Sequence, residues 1–124
     1  MGVSVGVDIV EIGRIKKIMD KNEKFKTKIF TKNEIEYCEG KKIKKYESYA
    51  ARFAAKEAIY KALSDKINFQ YEWTDFEILN KESGKPYVIL NHDVFGVKEI
   101  EISLSHSEDY AMAYVTAYMK DEKK

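Results

Sequence analysis

Between Tyr46 and Leu63 the chain reads YESYAARFAAKEAIYKAL, with neither glycine nor proline and with alanine as the commonest residue. Alanine is the strongest helix former and both helix breakers are missing, so this stretch is expected to be the longest helix of the chain. At ~100° per residue, Ala50, Ala54, Ala58 and Ala62 drift slowly around the axis, and Glu57 and Lys61 share the side of the first three. A face of small residues buries little area per residue but lets another backbone approach closely. A matching small face recurs near the end of the chain in Ala111, Ala113, Val115 and Ala117.

The remaining elements follow from periodicity. Val3, Val5, Val7 and Ile9 share one parity and Ser4, Gly6 and Asp8 the other, the pattern of a half-buried strand in which Asp8 points away from the apolar face. Ile12, Ile15, Ile18 and Met19 then recur at helical spacing, with Arg14 outside that stripe. Thr31 and Glu34 have the spacing of a capping box and open a second short helix. Strands are expected at 76–79, 87–90, 101–106 and 110–118. KESGKP forms the first turn between them, and Ser107-Glu108-Asp109 is short enough for a hairpin. The fold class is therefore α+β, a single domain over residues 1–124, with a mainly antiparallel sheet packed on one long helix and short helices near the N-terminus.

Charge and composition exclude several functions. Lys plus Arg number 22 against 21 Asp plus Glu, a formal net charge of +1, so no global field recruits nucleic acid. The run KKIKK at 41–45 reads as a solvated connection or as a face for an acidic partner. No apolar run reaches membrane-spanning length, and the N-terminus lacks the pattern of a secretory signal, so a cytoplasmic protein is expected. Cys38 is the single cysteine and reads as an unremarkable thiol. His92 in the NHD loop reads as structural, and Trp73 has no partner pattern.

Residue chemistry leaves two readings open for the long helix. Glu57 and Lys61, acid first at i, i+4, form an ordinary helix pair, and Arg52 and Lys56 flank it as solvated charges. Alternatively, a carboxylate amid small residues is open to a hard cation, and neighbouring basic residues meet phosphate. Asp8 is then the available second carboxylate. His106 shares parity with Ile100, Ile102 and Leu104 at a strand end, either as a rim histidine or as an anion contact between Ser105 and Ser107.

In order, GVDIVEIGRI at 6–15, RFAAKEAIYKAL at 52–63, GKP at 84–86 and SLSHS at 103–107 resemble the bacterial holo-acyl-carrier-protein synthase family of phosphopantetheinyl transferases. The likeness spans nearly the whole chain, and its specific part is the pairing of the first two motifs. It implies transfer of 4′-phosphopantetheine from coenzyme A to a serine of apo acyl carrier protein, with release of adenosine 3′,5′-bisphosphate and formation of the holo carrier for fatty acid biosynthesis. By motif matching, Asp8 and Glu57 are the implied Mg²⁺ ligands, and Lys61 neutralises or protonates the leaving phosphate. His106 is the implied contact to coenzyme A phosphate, with Arg52, Lys56, Gly84, Lys85 and Pro86 as further nucleotide-side candidates. Arg14 is the implied basic contact to the carrier. The general base is open between Glu57 and a water on the metal. Where many relatives carry Gly-Thr-Gly after the helix motif, this chain has Ser64-Asp65-Lys66. The resemblance further implies a homotrimer with active sites at subunit interfaces.

Overall fold

The structure is a computed structural model describing residues 2–66, 71–91 and 96–121. Strand β1 (Val3–Glu11) leads into helices α1 (Ile12–Lys21), α2 (Glu23–Ile29) and α3 (Lys32–Glu39), and then into the long helix α4 (Lys45–Leu63). Strands β2 (Phe76–Asn80), β3 (Pro86–Leu90), β4 (Val97–His106) and β5 (Tyr110–Met119) follow. The strands form a three-stranded sheet in the order β1-β5-β4 and a two-stranded β2-β3 sheet, with all pairings antiparallel. The α+β class with antiparallel sheet on a long helix is as expected. No helix among the described residues is long and apolar enough to cross a membrane.

Local chemistry explains the element ends. Thr31 and Glu34 make the expected capping box, each side chain bonded to the other's backbone N–H. Gly84 adopts a φ of 92° in the β2–β3 turn, a conformation that costs glycine little. Helix α2 was not expected. Its cap is the Asn22 side chain, which accepts from Lys24 N–H, and only one of its residues, Ile29, is buried. So short a segment carries no readable apolar stripe.

The core lies between α4 and the three-stranded sheet. Ala50, Ala54, Ala58 and Ala62 are all fully buried, as are Ala111, Ala113, Val115 and Ala117 of β5, so the two small faces meet as anticipated. The first strand corrects the expectation. Val3, Val5, Val7 and Ile9 are exposed, while Gly6 and Val10 are buried and Ser4 and Asp8 are partly covered. The small, polar parity therefore faces α4. The reason lies in helix–strand distance: a Cβ on Gly6 would overlap the Ala58 carbonyl oxygen and lie 3.0 Å from Ala62 N. Ser4 Oγ donates to the Ala62 carbonyl at the same contact. Valines on this face would hold the helix away, so the small parity goes inward despite its lower hydrophobicity.

Candidate active site

Inversion of β1 brings Asp8 to α4. Lys61 Nζ lies 2.9 Å from Asp8 Oδ1 and also donates to the Val7 carbonyl at 3.0 Å. Lys61 thus pairs with the strand carboxylate instead of forming the simple i, i+4 helix pair with Glu57. Its side chain remains about half exposed (52%), so the ammonium is accessible to a ligand.

Glu57 is partly buried, and desolvation, reinforced by the negative charge of Asp8, pushes its pKa above the ordinary value. Lys61 and Arg14 act in the opposite direction. Four residues from three elements, β1, α1 and α4, are therefore in electrostatic contact at one place. Two carboxylates that repel each other beside a single ammonium are a favourable setting for a hard cation, since a cation relieves the repulsion. Among the described residues no cluster of three or more histidine, cysteine or acidic side chains is placed to hold a metal. The acid pair fits Mg²⁺, which commonly takes one or two carboxylates and fills its other positions with substrate phosphate and water.

His106, at the end of β4, lies on the helix-facing side of the sheet but remains exposed, with Nε2 3.2 Å from Glu47 Oε1 near the N-terminal end of α4. It borders an open groove of about 350 Å³ together with Arg52, Gly84 and Pro86, and the groove receives Lys41 and Lys44 from the basic run. Those two lysines give KKIKK a place beside a basic groove, beyond a solvated connection. Lys85 lines a separate groove between β3 and β4.

Arg52 and Lys56 are not the solvated helix charges of the simpler reading. Arg52 is 2% exposed and donates to the Ile78 carbonyl at 3.0 Å and to Asn80 Oδ1 at 2.5 Å, with its guanidinium over the Tyr37 ring. It holds α4 to β2 while forming part of the groove wall.

For Lys56 the expectation of a nucleotide contact gives way to a structural role. It is 3% exposed, paired with fully buried Glu34 at 2.8 Å, and donates to the carbonyls of Ile29, Trp73 and Phe76. An ammonium has three N–H donors, and all are engaged here. Burial lowers the Lys56 pKa, against the opposing charge of Glu34. Glu34 also accepts from Thr31 N–H and Ile78 N–H, so one ion pair ties α3, α4 and β2 together.

Cys38 is buried with its pKa pushed up to about 11, mainly by desolvation, consistent with an unreactive thiol. His92 lies outside the described residues. From sequence Glu34 reads only as a helix cap and Glu47 carries no signal, because partners distant along the chain leave no periodic pattern.

The chain belongs to the 4′-phosphopantetheinyl transferase superfamily, whose ACPS family matches residues 4–115. Within that class it is 45% identical to a holo-[acyl-carrier-protein] synthase of Ruminiclostridium cellulolyticum, over 100% of this chain and 98% of the relative. Among solved structures it resembles a holo-(acyl-carrier-protein) synthase from Bacillus anthracis in complex with CoA (3′,5′-ADP), at 36% identity and a TM-score of 0.78, covering 94% of this chain and 96% of that one. The Helicobacter pylori holo-[acyl-carrier-protein] synthase in complex with coenzyme A is 31% identical with a TM-score of 0.78, covering 92% and 99% respectively.

Proposed function

We propose that the protein transfers 4′-phosphopantetheine from coenzyme A to a serine hydroxyl of apo acyl carrier protein. It releases adenosine 3′,5′-bisphosphate and supplies holo carrier for fatty acid biosynthesis in the cytoplasm. The observation that carries this reading is the convergence of Asp8, Glu57 and Lys61 where β1 meets α4. The names of the relatives and the coenzyme A bound to two structural neighbours support the substrate pair.

In phosphoryl transfer the protein mainly positions the groups and stabilises shifting charge. Asp8 and Glu57 would hold Mg²⁺, which when bound neutralises pyrophosphate charge and orients the phosphate. Lys61, fixed by Asp8 and the Val7 carbonyl, directs its remaining N–H at the phosphate and offsets the charge accumulating on the leaving bisphosphate. His106, Arg52, Gly84 and Pro86, with Lys41 and Lys44, offer the groove for the nucleotide half. Arg14 is exposed on α1 beside the acid pair, where a positive charge steers and orients an acidic carrier helix.

The outer face of the three-stranded sheet supports self-association. Val3, Val5, Val7 and Ile9 lie beside Tyr110, Met112 and Tyr114, all exposed on neighbouring strands. A contiguous apolar sheet face of this kind marks an interface, and a homotrimer with sites at its subunit boundaries is the assembly we propose for it.

The test is incubation of the purified protein with coenzyme A, Mg²⁺ and an apo carrier protein, followed by mass spectrometry of the carrier. A phosphopantetheine increment that disappears with a chelator and with Glu57→Ala is expected. An unmodified carrier that another transferase does modify refutes the proposal.

A further inference from the structure

Two cations share one aromatic ring in the wall of the His106 groove. The Arg52 guanidinium carbon lies 4.3 Å from the centroid of the Tyr37 ring, and the Lys41 ammonium lies 4.7 Å from it. Both distances fall within the ~6 Å over which a ring quadrupole attracts a cation. Tyr37 is half-buried near the end of α3 and lines the groove together with the two cations. Tyr37 and Lys41 lie between the motifs at 6–15 and 52–63, outside every stretch that carries the family resemblance.

The two cations are held in different ways. Arg52 is fixed without the ring, through the Ile78 carbonyl, the Asn80 side chain and the Ser48 hydroxyl. Lys41 is exposed and has no carboxylate partner among the described residues, so its ammonium is restrained by the Tyr37 ring. Lys45, in the same basic run, differs: it pairs with Glu39 at 3.3 Å, lies over the Tyr46 ring and does not line the groove. The groove lining sets Lys41, Lys44 and Arg52 against one carboxylate, Glu47, which already faces His106. Like charges gathered round one ring repel until an anion offsets them. A ring that pins a flexible lysine also removes its rotamer freedom before the anion arrives, which lowers the cost of binding.

We propose that Tyr37 is a positioning residue for the reaction: its ring holds the Lys41 ammonium in the groove beside Arg52, where the two cations together meet a phosphate of the nucleotide. This inference rests on the transfer reading above. It gives Tyr37 a share in ground-state affinity and none in the chemical step at Asp8, Glu57 and Lys61. A contact made equally before and during transfer lowers KM without changing kcat.

The intact protein and its variants are titrated calorimetrically with adenosine 3′,5′-bisphosphate and assayed for transfer to the apo carrier. Tyr37→Leu is expected to weaken the bisphosphate about three- to tenfold, the range of a cation–ring contact, and to raise KM for coenzyme A by the same factor with kcat unchanged. Tyr37→Phe and Tyr37→Trp keep the ring and should bind within about twofold of the parent. Lys41→Gln should show a loss like that of Tyr37→Leu, and the two together should lose little more than either alone. Lys45→Gln removes an equal charge outside the groove and should stay within about twofold of the parent, since solvent and salt screen it. Should Tyr37→Leu not fold, replacing Tyr37 by phenylalanines of increasing fluorine content takes its place. Fluorine drains the ring of π charge at nearly constant shape, so affinity should fall stepwise. Affinity untouched by Tyr37→Leu, by fluorination or by Lys41→Gln overturns the inference. So do equal losses in Tyr37→Phe and Tyr37→Leu, additive losses at Tyr37 and Lys41, a lower kcat with KM unchanged, or a Lys45→Gln loss as large as that of Lys41→Gln. If the parent protein still modifies the carrier in those cases, the transfer reading stands and only the role of Tyr37 is lost. A parent protein that neither binds the bisphosphate nor modifies the carrier refutes both.

Discussion

Gly6 and Ala58 meet so closely that the strand has no room for a side chain: a Cβ on Gly6 would lie 3.0 Å from the Ala58 carbonyl carbon and overlap its oxygen. Two residues further along β1 the same face carries Asp8, which this contact delivers to Lys61. The glycine of the GVD motif therefore serves the acid pair by setting a strand-to-helix distance. Gly6→Ala is expected to cost at least the ~1–3 kcal/mol typical of overpacking, because the obstructing atoms are backbone, and to depress transfer by displacing Asp8. Gly13→Ala is the control. Nothing lies within 4 Å of a Cβ there and the residue is in a helix, so that variant should be neutral or up to ~1 kcal/mol more stable. Thermal melts of both variants decide the matter.

Lys56 and Glu34 form an ion pair removed from solvent, with side chains 2% and 0% exposed. Removing one partner from such a pair leaves a buried charge uncompensated, typically at ~3–5 kcal/mol. Lys56→Met should therefore destabilise strongly and loosen the carbonyls of Ile29, Trp73 and Phe76 that it now holds. The double variant Glu34→Gln/Lys56→Met should recover part of the loss in denaturant unfolding. A single variant as stable as the parent would contradict the pairing.

Glu57 gives a pH dependence whose sign can be worked out. Desolvation and Asp8 raise its pKa in the folded chain above the unfolded value, so folding favours its protonated form. The stability this contributes is present below the unfolded carboxylate pKa and is lost as pH rises through the folded one. At neutral pH, without divalent cation, Glu57→Gln should accordingly melt higher than the parent, and the difference should vanish at acidic pH. The same substitution should reduce transfer at least a hundredfold by removing a ligand for Mg²⁺. Melting curves across pH, in chelator and in Mg²⁺, separate the two effects, since Mg²⁺ should stabilise the parent more than the variant.

Much of this arrangement was legible in the sequence where a pattern is local. The alanine stripe of α4, the matching small face of β5 and the Thr31–Glu34 box are short-range signals, and each appears as expected. The failures have one physical origin, contact between segments far apart in the chain. Alternation correctly identified β1 as a strand but assigned the inward face to the valines, because hydrophobicity ranks the two parities without knowing how near the helix comes. Lys56 looked like a free cation because its partner Glu34 sits on another helix, and Trp73 looked isolated because Phe53, on which it stacks, comes from elsewhere. Motif resemblance pairs Asp8 with Glu57 without giving a reason for their meeting, which is the close strand-to-helix approach at Gly6 that lets the two charges act on each other.

The reversed β1 also yields a prediction about assembly. With its small parity on α4, the strand presents Val5, Val7 and Ile9 outward, at 55%, 49% and 59% exposure, with Val7 opposite Tyr114 and Ile9 opposite Met112 of β5. An apolar sheet face left in water carries a hydrophobic penalty of roughly 25 cal/mol per Å², which a partner subunit removes. Val5→Glu places a charge at the centre of that face without touching the helix contact, so the isolated fold should persist while association fails. Analytical ultracentrifugation should then show a trimer for the parent and a monomer for Val5→Glu, with unchanged far-UV circular dichroism. If the active site is completed across the interface, the monomeric variant should also lose most of its transfer activity, and the parent's specific activity should fall on dilution below the concentration at which the trimer dissociates. A monomeric parent with full activity would show that Asp8, Glu57 and Lys61 act within one chain and that this face serves another partner.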